Sequence, residues 1–170
     1  MRSRYLFAAF AVLLALAGPA RGEDARINRL ELVESGFYDA GTVTVLGSIL
    51  SPGTAAGQTL ELGDLRLIAE PPATGARVGL GFGVRFRSLG EPIGARVMLR
   101  SVWKIPAPGI HNPGNGNALR ESVADFAVVV GDLHMRGYQF DAPWEVVPGT
   151  WTLEIWQGDR KLLAKSFAIQ

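Results

Sequence analysis

Glycine and proline break this chain so often that what lies between them reads as strands. The sequence holds 21 Gly and 10 Pro, scattered along its length, and the runs they separate recur at short spacing. That rhythm belongs to an antiparallel sandwich or barrel. No convincing amphipathic helix and no internal repeat is found among them. The expected fold class is all-β: a two-sheet antiparallel sandwich, immunoglobulin-like, with about seven to nine strands.

The clearest runs have alternating faces. Over Val78–Arg87, the residues Val78, Leu80, Phe82, Val84 and Phe86 share one face, expected to be core, and Gly79, Gly81, Gly83, Arg85 and Arg87 share the other. Three glycines on one face weaken a strand, so something is expected to approach the backbone closely there. Over Ala95–Ile105, Val97, Leu99, Trp103 and Ile105 point one way, with Ser101 among them, and Arg96, Met98, Arg100, Val102 and Lys104 the other. The connection Leu89–Gly94 has a length that suits a hairpin between these two runs. Arg26–Glu34, closed by Ser35-Gly36, reads as the first strand, and Thr42–Ile49 as the next. Thr59–Ala69 reads as one strand interrupted near Gly63-Asp64 and ended by Glu70-Pro71-Pro72. Val123–Val130 and Met135–Asp141 follow. At the end, Trp151, Leu153 and Ile155 share a face, Gln157–Arg160 turns, and Lys161–Ile169 returns. Lys165 falls in the parity of Leu163, Phe167 and Ile169, which a bulge or an edge position accounts for. Pro106–Asn117 is expected to be a loop. Trp103 and Trp151 read as core, Trp144 and Trp156 as surface, and Phe37-Tyr38 as turn residues of either kind.

The N-terminus bounds the address. Arg2 and Arg4 precede an uncharged run of 13 residues, Tyr5–Ala17, and Gly18-Pro19-Ala20-Arg21-Gly22 supplies small residues for a signal peptidase. The run falls short of the ~20 residues that span a bilayer, so residues 1–22 are expected to be a cleaved leader and residues 23–170 one β-sandwich domain. Cleavage after Ala20 is an alternative to cleavage after Gly22. With no cysteine in the chain, neither a lipid anchor on a new N-terminal Cys nor a disulfide is available, and the fold must rest on its core. Of 17 basic residues, three lie in the leader; the mature chain then has 14 against 16 acids, a formal net of −2. That balance gives no electrostatic reason to bind nucleic acid, and no later apolar run is long enough to span a membrane. An exported chain without an anchor points to the periplasm before the extracellular space.

Several blocks in fixed order carry a resemblance. Gly79-Leu80-Gly81-Phe82-Gly83-Val84, His111-Asn112-Pro113, Tyr138-Gln139-Phe140-Asp141, and Glu145–Trp151 followed by Gly158, Lys161-Leu162-Leu163 and Phe167 resemble the bacterial exported domain-of-unknown-function family numbered 3859. The similarity extends back to Arg26. It implies a small exported β-sandwich. It implies no activity, and no site residue is carried over.

No motif commits the chain to a chemistry. A metal site wants three or four convergent ligands; His111 and His134 are the only histidines, and they would form a two-His site only if their regions met. The acids are spread singly, with no marked facing pair. The serines lack a G-x-S-x-G setting. The glycines at 79, 81 and 83 lie inside a strand, without the strand-then-helix context of a dinucleotide loop. No cofactor is expected. The sequence reading is therefore a non-enzymatic exported module that binds an envelope protein, engaged through an edge strand, or a glycan. His111 and Asn112 in the Gly/Pro loop and Trp156 on a strand are its candidate contacts. Two alternatives are a small-ligand or metal binder using His111 and His134, and a hydrolase with a dispersed site.

Overall fold

A computed structural model describes residues 25–39, 41, 44–55, 57–62, 65–69, 75–114 and 118–170. The leader with its two cleavage positions lies outside them, as do Gly63-Asp64, the Glu70-Pro71-Pro72 terminator and residues 115–117 of the Gly/Pro loop. The elements are β1 (Arg26–Asp39), β2 (Val45–Leu50), β3 (Gln58–Leu62), β4 (Leu80–Glu91), β5 (Arg96–Lys104), β6 (Ile110–His111), β7 (Ala118–Leu119), β8 (Glu121–Val129), β9 (Leu133–Gln139), a 3-10 turn at Pro143–Glu145, β10 (Gly149–Gln157) and β11 (Arg160–Ile169). Among the described residues every strand pairing is antiparallel. Among the described residues, no helix is long and apolar enough to cross a membrane.

Two sheets form the sandwich, in the orders β1-β4-β9 and β11-β10-β5-β8. Phe82 on β4 is the hub between them. Its ring has centroids of Phe37, Trp103, Tyr138, Phe140, Trp151 and Phe167 within 5.3–6.3 Å, mostly tilted or edge-on, the arrangement aromatic quadrupoles favour. Leu80, Val84 and Phe86 beside it, and Leu99, Trp103, Leu153 and Ile155 across from it, are buried. The alternation of β4 and β5 thus translates directly into a core face, except at Val78, which precedes β4 and is exposed.

The glycine face of β4 is approached as expected. A Cβ on Gly81 would fall inside the Tyr38 ring, and one on Gly83 would lie 2.5 Å from the Arg136 carbonyl oxygen of β9. Lys165 pairs opposite Leu153 on the edge strand β11, with a register shift just beyond it at Ile155/Trp156. An inward charge on an edge strand discourages further pairing.

Four expectations are corrected. Ser35-Gly36 does not close β1: Gly36 pairs with Gly83 in mid-strand, and its lack of a Cβ admits the Ile68 carbonyl. Phe37 and Tyr38 are consequently buried strand residues. The alternation of β1 was unreadable because register shifts interrupt it at Ile27/Arg29 and Leu32/Glu34. Leu89–Gly94 is no hairpin turn. β4 is already paired on both sides by β1 and β9, and β5 by β10 and β8, so the connection arches from one sheet to the other. The Gly/Pro loop is partly ordered by the β6–β7 ladder, and Ile110 within it is fully buried.

Candidate functional site

The sheets part along the margin between β8 and β9, one edge strand from each. A cleft of about 560 Å³ opens there, within the range of small-molecule sites. The β2–β3 hairpin straps its mouth. Its tip is fixed to β8, where the Val123 amide donates to the Gly53 carbonyl at 2.9 Å. The Asn112 amide donates to the Ala55 carbonyl at 3.4 Å. Leu46 and Ile49 from the strap and Leu133 from β9 line the mouth and are exposed.

Deeper in, the lining turns polar. Ser101 of β5 and Ser122 of β8 share the inward parity of Trp103 and Ala124 and are buried. The Ser101 hydroxyl donates to the Ala124 carbonyl at 3.1 Å. Ser122 makes no side-chain hydrogen bond among the described residues. Buried hydroxyls are normally satisfied, so Ser122 faces the cleft with unused capacity.

Arg136 reaches across from β9. Its position is set by pairing with Val84, whose side chain is in the core; cross-strand partners share a face. The guanidinium Nε donates to Ser101 Oγ at 3.0 Å, and the group lies 4.8 Å over the centroid of Phe126. Burial pulls its pKa down to about 10, which leaves it charged at physiological pH. The ion pairs among the described residues join Arg77 to Asp39, Arg85 to Glu34, Arg100 to Asp125, Lys104 to Glu121 and Lys161 to Glu154. Arg136 belongs to none of them, and its two terminal nitrogens have no acceptor among the described residues. The guanidinium is half-buried, so its terminal nitrogens face the cleft and its solvent rather than a protein acceptor.

Glu145, on the 3-10 turn, closes the far end of the cleft. It is 1% exposed. Its Oε2 accepts from the Asp141 amide at 2.6 Å and the Ala142 amide at 3.3 Å, and Tyr138 lines the cleft beside it. Desolvation raises its pKa against the lowering effect of those donors. Burial likewise raises the phenols of Tyr138 and Tyr38, so both are neutral donors.

The residues singled out from the sequence do not converge. His111 is exposed on β6, beside Ala118. His134 is half-buried against Phe86, with Nε2 at 3.0 Å from the Val129 carbonyl oxygen. The length of β8 separates their surroundings, about 26 Å at 3.3 Å per residue, so the two histidines do not form one site. No cluster of three or more metal-binding side chains occurs among the described residues. Asn112 is a loop fastener: besides Ala55 it binds the Gly114 amide at 2.8 Å. Trp156 is half-buried; its Nε1 donates to Glu154 at 3.2 Å and Lys161 Nζ sits 5.0 Å from its ring centroid. The hydrogen bond from Lys161 holds Glu154 below the usual carboxylate range. A shallow depression lined by Arg100, Val102, Gly158 and Asp159 adjoins the indole. Arg136 went unnoticed in the sequence. Its signal was a charge in the parity of Tyr138 and Phe140, an anomaly only once that parity is known to face the core.

Comparison with known proteins supports the architecture. The fold is similar to that of an immunoglobulin-like protein from Pseudomonas aeruginosa, with TM-score 0.52 and 24% identity over 89% of this chain and 99% of that one. At that identity the likeness shows the fold alone. A lesser likeness, to the β-D-glucoside glucohydrolase of Trichoderma reesei, has TM-score 0.36 and 8% identity over 82% of this chain and 18% of that one, and carries no argument. No curated protein matches. The family described as "Domain of unknown function (DUF3859)" matches residues 64–169, well over half of the sequence and in agreement with the blocks that carried the resemblance, and the chain belongs to that family.

Proposed function

We propose that this immunoglobulin-like sandwich is a non-enzymatic binding module, exported to the periplasm, and that its ligand site is the cleft between β8 and β9. One observation carries the reading: a half-buried, charged arginine stands in that cleft without a counter-ion among the described residues, its terminal nitrogens turned to the open space. A charged group held in a cleft without an internal partner is more often part of a site than of the scaffold. The cleft also has the mixture usual in ligand sites, apolar walls with a few convergent polar groups. The Gly/Pro loop and Trp156 fit less well, because Asn112 and Trp156 are already engaged within the protein.

The test is site-specific photo-crosslinking in cells, with the reactive group placed in turn at Leu133 on the cleft mouth, at His111 and at Trp156. The reading predicts adducts at Leu133 that are absent from the other two positions. Adducts confined to His111 or Trp156 would move the site to the loop or the sheet surface. Fractionation of the same cells, with the mature N-terminus determined by mass spectrometry, tests export and cleavage after Gly22.

A further inference from the structure

If the cleft is the ligand site, its chemistry also restricts what enters. We infer that the ligand is a small organic carboxylate, its acid head bound by Arg136 and Ser122 and its apolar body lying toward Leu46, Ile49 and Leu133. The inference rests on the binding-module reading above.

Three features select the head group. The two terminal nitrogens of Arg136 are free while Nε is spent on Ser101. A guanidinium edge with its nitrogens unbound matches a planar carboxylate, which two parallel N–H···O bonds can hold. Second, Ser122 offers a hydroxyl with no partner among the described residues, the kind of added donor that orients such a head. Third, the remaining charges oppose a more highly charged ligand. Besides Arg136 the lining holds Arg96, but also Asp125, Asp141 and Glu145. Asp125 is paired with Arg100, and Asp141 and Glu145 add negative potential at the far end. A dianion would draw more repulsion from those acids than a monoanion, whose single charge the Arg136 guanidinium matches.

The body follows from the walls. Trp103, Phe126 and Tyr138 give the interior aromatic surface, and the mouth is lined by exposed aliphatic side chains. Exposed apolar groups gathered at the mouth of a cleft favour a ligand that extends outward through it.

The experiment is titration of the mature protein with 3-phenylpropionate and with octanoate, followed by backbone amide chemical shifts. Each acid is paired with its neutral amide, and inorganic phosphate is titrated separately. The expected result is saturable shifts at Ser101, Ser122 and Arg136 with the acids, and affinity at least about tenfold weaker with the amides, the loss of one charge-assisted contact. Arg136→Met should retain the folded spectrum, since it replaces a half-buried charge that has no ion-pair partner by an apolar chain of similar length and leaves Ser101 bonded to the Ala124 carbonyl, and should lose the acid preference. Ser122→Ala should weaken the acids and leave the amides unchanged. Acids and amides binding equally at the cleft, in wild type and Arg136→Met alike, would overturn the carboxylate inference while leaving the cleft as a binding site. Phosphate binding there more tightly than either acid would overturn it too, in favour of a phosphorylated ligand. Shifts confined to residues outside the cleft would overturn both readings, as would cleft crosslinks absent from the cellular test. An unfolded Arg136→Met would assign that arginine a structural role and remove the ground for the inference.

Discussion

At the scale of single residues, Glu145 is where burial and hydrogen bonding oppose each other most directly. Burial raises its pKa, so the folded state holds the proton more tightly than the unfolded chain, whose carboxyl titrates at about 4.3. The associated stability is fully present below that value and is lost as pH rises through the folded value. Glu145→Gln has no proton to lose and retains an acceptor for the Asp141 and Ala142 amides. Its stability should therefore vary less with pH between about 4 and 8 than that of the wild type. Glu145→Ala should be destabilised by about 1–3 kcal/mol for each amide it orphans. Urea midpoints across that pH range measure both, and equal slopes for wild type and Glu145→Gln would contradict the assignment. Neither Glu145 nor Arg136 was legible beforehand. Trp103 and Trp151 were, because each shares its strand face with a run of apolar residues, Val97, Leu99 and Ile105 for the first and Leu153 and Ile155 for the second, and both are buried. Around Arg136 both parities mix polar and apolar residues, His134, Arg136 and Tyr138 against Met135, Gly137 and Gln139. No periodicity distinguishes the inner face there; pairing with β4 does.

At the scale of elements, the β2–β3 strap should come loose without the sandwich unfolding. Its strand residues Leu46, Ile49 and Leu50 are exposed, and its tip is tied to β8 through Gly53 and to the Gly/Pro loop through Ala55. A Cβ on Gly53 would collide with the Val123 carbonyl oxygen, so Gly53→Ala should push the tip off β8. Hydrogen exchange at the Val123 amide, which donates to Gly53, should then quicken by about tenfold or more, while the amides of β4 and β10 keep their protection. Uniform loss of protection would show instead that the strap is integral to the core. The elements also differ in how openly the sequence announced them. The β10–β11 hairpin was plain, because a glycine turn joins two runs that pair with each other, Gly158 taking positive φ. The link from β4 to β5 has equally good turn residues, and it failed as a hairpin because both strands had other partners. Turn chemistry is local, whereas the choice of partner is made by the whole sheet.

At the scale of the molecule, the stretch that defines the family and the stretch that folds should differ. The family match begins at residue 64, yet β1 lies wholly before it and pairs along the full length of β4, from Arg26 opposite Glu91 to Asp39 opposite Leu80. It contributes Ile27, Leu30 and Phe37 to the core. Full burial of three such side chains is worth about 1.5–3 kcal/mol each, so together they amount to roughly 5–9 kcal/mol, as much as the entire net stability of many domains, about 5–15 kcal/mol. Without β1 the first sheet would be reduced to β4 and β9, with the edge of β4 unpaired and Phe82 stripped of Phe37. A fragment of residues 64–170 should accordingly show no cooperative urea transition and should aggregate through that bare edge, whereas residues 23–170 should unfold in one step. A cooperative transition in the fragment would mean that β1 is an accessory strand and that the remaining sheets form a self-sufficient core. In that event the fragment still holds Ser101, Ser122 and Arg136 but lacks the strap, and comparing its affinity for 3-phenylpropionate with that of residues 23–170 would isolate what the strap adds to binding.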